Sequence, residues 1–375
     1  MTRTIRIVAV QMTADPAPVE ERLARAQALV EQAARHGAQL VVLPEVFNTG
    51  YEYSDANYDR AETLDGRTAR WMRTMARQHA VHLAGTFLRR GAEEIYNTLL
   101  LVAPDGRSWQ YDKSYPWIWE RAYFRAGEGI TIAETELGRL GLLICWDAAH
   151  LELWERYAGQ VDAMLVCSCP PRAHDLTFVL PDGRRLIATE AGPILRHVRR
   201  TGEGLFGPYL RRQAAHLGVP VVNTTGTGTF SSGIPMPRVS LAVYALFRPD
   251  LWPAIPRADR VRVEATYFPE TYVADAGGQV LDRVPPGREG VALAEVALAD
   301  ASPAPAGPPP RFGVSPFAYA FDRFANGLLG PVYRRRVRRA HGRHMAPMPR
   351  RTRRWIGALI LASVLAFLLG RRARR

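Results

Sequence analysis

The sequence predicts an α/β fold, on three observations. Short apolar runs of strand length recur along it, at residues 4–12, 40–43, 81–88 and 162–168. Between them lie stretches whose apolar residues return at helical spacing, most plainly Val19, Leu23, Ala26, Leu29, Val30 and Ala33. Alternation of the two is the pattern of strands covered by helices. The composition, 47% apolar and 23% charged over 375 residues, is that of a globular chain able to bury a core.

Taken in order, residues 4–12 are a strand, with no secretory signal ahead of it. A helix over residues 16–36 is stopped by Gly37. Residues 40–43 are the second strand, ended by Pro44, which cannot donate to a ladder. Residues 67–79 read as a helix and 81–88 as a strand. Residues 96–103 and 108–111 read as a hairpin across Pro104-Asp105-Gly106. Residues 130–137 and 139–144 deliver Cys145, and a helix follows from about residue 149 to 157. A strand at 162–168, a helix at 209–217 and a strand at 219–223 come next. Residues 170–208 are less regular, with a turn at 180–183. Residues 226–262 are rich in Gly and Pro and carry exposed-looking apolar residues, Leu241, Tyr244, Leu246, Phe247 and Trp252; residues 261–265 close the stretch as a strand. Residues 301–310 are a Pro-rich linker. No repeat of solenoid length is present.

Three stretches carry chemistry. In Gly141-Leu-Leu-Ile-Cys-Trp-Asp147 a short strand stops at Cys145 just before a helix. Such a corner raises a side chain at the sheet edge and turns the following backbone N–H groups, here that of Trp146, the same way, which suits a nucleophile with an oxyanion site beside it. Glu45 sits just past the end of an apolar strand. Lys113 is the single lysine among 49 Lys and Arg residues. A chain that writes arginine wherever a cation suffices keeps a lysine where a compact ammonium with a shiftable pKa is required. Cys167 and Cys169 alternate on a strand and read as core or pocket wall, with no His or acid at metal-ligand spacing. Gly226-Thr-Gly228 lacks the strand–helix setting of a phosphate loop. Neither a metal nor a cofactor is expected.

At Leu43-Pro-Glu45, Tyr111-Asp-Lys113 and Gly141 to Asp147, in that order, the chain resembles the nitrilase superfamily of carbon–nitrogen hydrolases. The resemblance covers roughly residues 5–298, with insertions near 170–208 and 226–262. It implies a four-layer α-β-β-α sandwich over residues 1–300, closed by strands near 271–275, 279–284 and 291–296. It also implies a catalytic Glu45–Lys113–Cys145 triad, with Glu120 as a supporting second glutamate. Two departures bear on the substrate. Leu151-Glu152 stands where the family usually has Pro-Glu, and Cys167-Ser168-Cys169-Pro170-Pro171 replaces the usual polar pocket residues.

The expected reaction is hydrolysis of a non-peptide C–N bond in a small amide or N-carbamoyl compound, through a Cys145 thioester and with release of ammonia. Glu45 would move the protons, while Lys113 and the Trp146 N–H would face the oxyanion. Asp147 reads as a structural carboxylate near a helix start. Nitrile hydrolysis and amine-directed acyl transfer are alternatives in the same site. An inactive, membrane-tethered binding module is the alternative of another class.

The formal net charge of +13 belongs to the tail. Residues 331–375 hold fourteen arginines and no acid, and taking those fourteen from +13 leaves −1 for the body, which excludes a nucleic-acid binder by charge. Three cysteines, an odd number, point to a reducing compartment. Residues 355–370 are uncharged and flanked by arginines, and are expected to be a C-terminal transmembrane helix, preceded by an Arg-rich juxtamembrane segment at 331–354. The catalytic domain is then cytoplasmic at the cell membrane. Residues 301–330 are expected to link the body to this anchor and, through their aromatic residues, to help form a homodimer or larger assembly. A chain ending at Pro331 is expected to stay active.

Overall fold

The computed structural model describes residues 3–188, 201–246, 248–299, 301–312 and 316–341. Strand β1 (Arg3–Thr13) is the spine of the first sheet. It pairs in parallel with β2 (Leu40–Val42) and, at its end, with the short β12 (Gly226–Thr227), and the sheet continues from β2 through β3 (His82–Arg90), β4 (Ile95–Val102) and β5 (Ser108–Asp112). The second sheet is built from β6 (Ile132–Thr135), β7 (Gly138–Ile144), β8 (Ala163–Cys167), β11 (Val221–Thr224), β15 (Tyr272–Ala274) and β16 (Val280–Arg283). The last strand, β17 (Gly290–Leu298), returns to pair antiparallel with β1.

Alternation along β1 shows why the sheets stack. Ile5, Ile7 and Ala9 belong to the core shared with Leu140 and Leu142 of the second sheet. Val8, Val10 and Met12 pack instead with Leu23, Ala26 and Val30 of helix α1 (Val19–Arg35) and Met72 of helix α3 (Arg67–His79), between which lies the short α2 (Ala56–Arg60). A strand buried on both faces must be apolar on both, as these residues are. Helix α4 (Leu151–Tyr157) and the helix Leu210–Leu217 pack against the second sheet, making four layers. The strands and main helices anticipated from the sequence are found, with ends shifted by a few residues. A 3-10 turn, Cys145–Ala149, comes between β7 and α4, so the helix begins later than anticipated.

The two insertions differ from expectation by forming one body. Strand β9 (Thr177–Val179) and β10 (Arg185–Ile187) come from the first insertion. Strands β13 (Thr229–Ser232) and β14 (Arg262–Thr266) come from the second. They join in a separate four-stranded sheet, in which β9 pairs with β14 through Phe178 opposite Val263. The stretch read as loop also holds a helix, Pro237–Ala245, and a 3-10 segment, Pro249–Arg260. Pro237 stands in the first helical turn, where its missing N–H costs nothing, so it opens this helix rather than breaking one. Leu241 is fully buried with Phe178 and Tyr267, contrary to its exposed look, whereas Leu246 and Trp252 are about half exposed, at 54% and 52%. Phe247 lies outside the described residues.

A single helix, Pro316–His341, crosses position 331, where the sequence reading places a boundary. Leu329, Tyr333 and Val337, four residues apart, are buried on one face, and this packing carries the helix through Pro331. Phe312 packs within the chain against Tyr209, the rings tilted with centroids 5.1 Å apart. The anticipated transmembrane helix at 355–370 lies outside the described residues. Among the described residues no helix is long and apolar enough to cross a membrane.

Candidate active site

The site forms where strand ends of the two sheets meet. Glu45 follows β2, Lys113 follows β5 in the same sheet, and Cys145 follows β7 in the other. The Glu45 N–H donates to the Ser168 carbonyl, just past β8, at 3.3 Å, and Thr224 Oγ1 of β11 donates to the Leu43 carbonyl at 3.2 Å. These bonds tie the end of β2 to the second sheet. The Lys113 N–H donates to the Asn97 carbonyl at 2.9 Å, holding the lysine on the first sheet as its strand ends.

Lys113 is fully buried, and its ammonium sits between two carboxylates. Nζ donates to Glu45 Oε1 at 2.8 Å and to Glu120 Oε1 and Oε2 at 3.0 and 2.8 Å. Glu45 Oε1 also accepts from Asn97 Nδ2 at 2.8 Å. Glu120 accepts from the Tyr51 hydroxyl at 2.5 Å and from the Trp117 N–H at 2.6 Å. Burial alone would strip charge from Lys113. Glu120 and then Glu45 outweigh it and hold the ammonium's pKa well above its usual value. Burial lifts the Glu45 carboxyl above the usual carboxylate range against the pull of Lys113, and the adjacent Cys145 thiol favours its ionised form. Burial, reinforced by the Glu45 charge, pushes the Cys145 thiol well up, so a base is needed to make the thiolate.

Cys145 itself lies in the left-handed region, at φ +51°. A side chain there costs of order 1–3 kcal/mol and persists only where its surroundings enforce it. Val46, next to Glu45, has φ +50°, and Ile118, two residues before Glu120, has φ +25°, so three strained positions attend this one site. Asp147 enforces the corner. Its buried carboxylate accepts from the Tyr115 N–H at 2.7 Å, the Tyr111 hydroxyl at 2.9 Å and the Ile144 N–H at 3.3 Å. Its role therefore goes beyond a helix start: it clasps the lysine segment to the cysteine corner. Burial raises its pKa to about 7.

Cys145 is partly exposed, onto a cavity lined by Trp117, Trp119, Trp146, Glu120, Cys169, Pro170, Leu176, Leu205, Phe206 and Tyr244. Trp146 stands edge-on to Trp117, with centroids 4.3 Å apart. The structure thus brings together Glu45, Lys113, Cys145, Glu120 and Trp146. Glu152 stays on the rim, accepting from the Tyr115 hydroxyl at 2.7 Å. Cys167 is core, and Cys169 is wall, its N–H directed at the Cys145 sulfur. Among the described residues no group of three or more His, Cys, Asp or Glu is placed to hold a metal. Sequence reasoning missed Asn97, although an amide sharing a strand face with Leu99 and Leu101 is a readable signal. It also missed Tyr51 and His150, for which no local signal exists. His150 lies flat on Tyr115, centroids 3.4 Å apart, and burial lowers its pKa to about 4.

A buried acid–ammonium–acid cluster beside a cysteine on a strained corner, set between two stacked sheets, defines a carbon–nitrogen hydrolase. The chain belongs to that family: the profile described as carbon-nitrogen hydrolase matches residues 6–306. It is 27% identical over 147 residues to a nitrilase of Pyrococcus abyssi, covering 38% of this chain and 56% of the relative. It is 29% identical over 187 residues to an omega-amidase of Bos taurus, covering 46% of this chain and 65% of the relative. Each match spans less than two thirds of the relative's length. Among solved structures, a carbon–nitrogen hydrolase superfamily protein of Xanthomonas campestris shares the fold with a TM-score of 0.56 at 20% identity, covering 80% of this chain and 91% of that one. An amidase of Nesterenkonia does so with a TM-score of 0.56 at 19% identity, covering 77% of this chain and 92% of that one.

Proposed function

We propose that the chain hydrolyses the C–N bond of an amide or N-carbamoyl compound through a thioester on Cys145. The observation that carries this reading is the buried Lys113 ammonium held between Glu45 and Glu120 beside Cys145. Glu45 takes the thiol proton as the sulfur attacks the carbonyl carbon. Its raised pKa brings it nearer the value a base needs at neutral pH. The Lys113 ammonium and the Trp146 N–H face the developing oxyanion. As the C–N bond breaks, Glu45 gives its proton to the nitrogen, and ammonia leaves. Glu45 then draws a proton from water as its oxygen attacks the thioester, and the acid departs with the thiol restored. Glu120 positions Lys113.

The names of the relatives favour amides: omega-amidases stand beside the nitrilases, and a mutant of the Nesterenkonia amidase shows Michael addition of acrylamide at the active-site cysteine. The test is ammonia release from short amides, carbamoyl amines and nitriles with no added amine. Ammonia from amides or carbamoyl amines in water supports the reading. Turnover that begins only when an amine is added points to acyl transfer instead.

We further propose that residues 355–370 anchor the body to the cytoplasmic face of a membrane. The ten arginines between residues 334 and 354 support this orientation, because basic flanks stay on that face. Each arginine near an anionic surface adds about 1 kcal/mol. Full-length protein left soluble at both low and high salt would remove the anchor. The aromatic residues before the arginines support a dimer or larger assembly, which the mass of the purified protein tests.

A further inference from the structure

The wall around Cys145 is assembled from the two insertions. Leu176, Leu205 and Phe206 come from the first, and Tyr244 comes from the helix in the second. Trp117 and Trp146 line the same cavity. Among the described residues lining it there is no lysine, arginine or histidine. Lys113 is fully buried and already shared by two carboxylates, one of which, Glu120, reaches the cavity itself. A second carboxylate brought here on a substrate would be stripped of water, meet no cation among the described lining residues and lie near an acid. Such a group is costly unless paired. An alkyl or aryl group loses nothing on entry and gains contact with aromatic faces.

We propose that the acyl group this site accepts is uncharged and apolar, an aryl or medium-length alkyl chain, and that Leu176, Phe206 and Tyr244 determine this preference. The proposal rests on the thioester reading above and excludes monoamides of dicarboxylic acids as favoured substrates. Each methylene added to the acyl chain raises kcat/KM roughly three- to fourfold until the cavity is filled. A terminal carboxylate lowers it roughly a hundredfold against an alkyl chain of similar length.

The experiment is ammonia release by the full-length protein from acetamide, butanamide, hexanamide, phenylacetamide and succinamate. The expected order places hexanamide and phenylacetamide first and succinamate last. Succinamate turned over as well as butanamide would overturn the proposal. A second measurement separates this outcome from a failure of amide hydrolysis itself: the burst of p-nitrophenolate from p-nitrophenyl acetate, hexanoate and hemisuccinate. There the Cys145 sulfur bonds to the acyl carbon as the bond to the p-nitrophenolate oxygen breaks, so the burst reads acyl preference even without amide turnover. Hexanoate ahead of hemisuccinate supports the proposal, and the reverse contradicts it. Leu176→Arg, at a partly exposed wall position, is expected to shift the hemisuccinate-to-hexanoate ratio at least tenfold toward hemisuccinate. An unchanged ratio in a variant with a native circular dichroism spectrum removes Leu176 from the specificity wall.

Discussion

Asn97 donates its side-chain amide to Glu45 Oε1 at 2.8 Å, from the middle of a buried strand face. The bond fixes one carboxylate oxygen alongside Lys113 and favours the ionised form. The other oxygen, Oε2, accepts from no nitrogen or oxygen donor among the described residues. In this arrangement the base is held at one oxygen and open at the other.

Asn97→Leu should therefore lower kcat by about 10- to 100-fold, while KM changes little. Loss of the donor raises the Glu45 pKa further. Activity disappears as pH falls through the pKa of the base, so the acid limb of the kcat/KM profile should move to higher pH. A variant with lowered activity and an unmoved acid limb would assign Asn97 to packing alone.

Lys113→Arg should lower kcat by roughly 10²- to 10³-fold. The slot holds a single nitrogen within 3.0 Å of both Glu45 and Glu120, and a guanidinium is broader than that slot. Steady-state kinetics on a folded variant decide the matter. Retention of most of the kcat would make the lysine incidental.

The terminal helix should prove part of the folded body. The Ile95 N–H donates to the Tyr333 hydroxyl at 2.8 Å, and the Arg125 guanidinium lies over the Tyr333 ring at 3.7 Å. Tyr333→Phe keeps the ring but leaves a buried N–H unpaired, at a cost of about 1–3 kcal/mol. Ending the chain at Pro331 removes the ring as well and should cost about 3–5 kcal/mol, so a chain expected to stay active should do so with lowered stability. Urea unfolding of both variants tests this, and unchanged midpoints would contradict it.

Two buried groups should impose opposite pH dependences on stability. Asp147 has a folded pKa of about 7, above its ordinary 3.8, so its contribution is full below pH 3.8 and is lost as pH rises to about 7. His150 has a folded pKa of about 4, below its ordinary 6.5, so its contribution is full above pH 6.5 and is lost as pH falls to about 4. Each slope is at most about 1.4 kcal/mol per pH unit, and the two cancel where their windows overlap. Relative to wild type, Asp147→Asn should gain stability as pH rises from 4 to 7, and His150→Gln should lose it. Denaturation curves at pH 4.5, 5.5 and 6.5 read both slopes, and parallel behaviour of the two variants would refute the assignment.

Much of the frame was legible because it is written in periodicity and punctuation. Alternation along β1, the helix from Val19 to Arg35 and the strand ending at Ile144 follow from apolar spacing. Glu45, Lys113 and Cys145 drew notice because each closes or follows a strand, and the lysine because composition singled it out; their reading as a triad came from the resemblance of the three motifs, in order, to the carbon–nitrogen hydrolases. The joint sheet of the insertions was not, since Phe178 and Val263 meet only through tertiary pairing between distant segments. The clasp of Asp147 on Tyr111 and Tyr115 was hidden for the same reason. The long terminal helix was missed because the segment was divided at residue 331 by its arginine content, whereas burial of Leu329, Tyr333 and Val337 carries one helix across that point.

The most direct test of the central claim is ammonia release by Cys145→Ala beside the wild-type protein, on the best amide found, with circular dichroism confirming the fold. Cys145 stands on the strained corner at φ +51°, facing the cavity, and Cys167, in the core, and Cys169, in the cavity wall, are not placed to substitute for it. The account predicts a folded variant with at least a 10⁴-fold loss of kcat, since removal of a covalent nucleophile leaves only binding and electrostatic effects. Ammonia release within tenfold of wild type would contradict it.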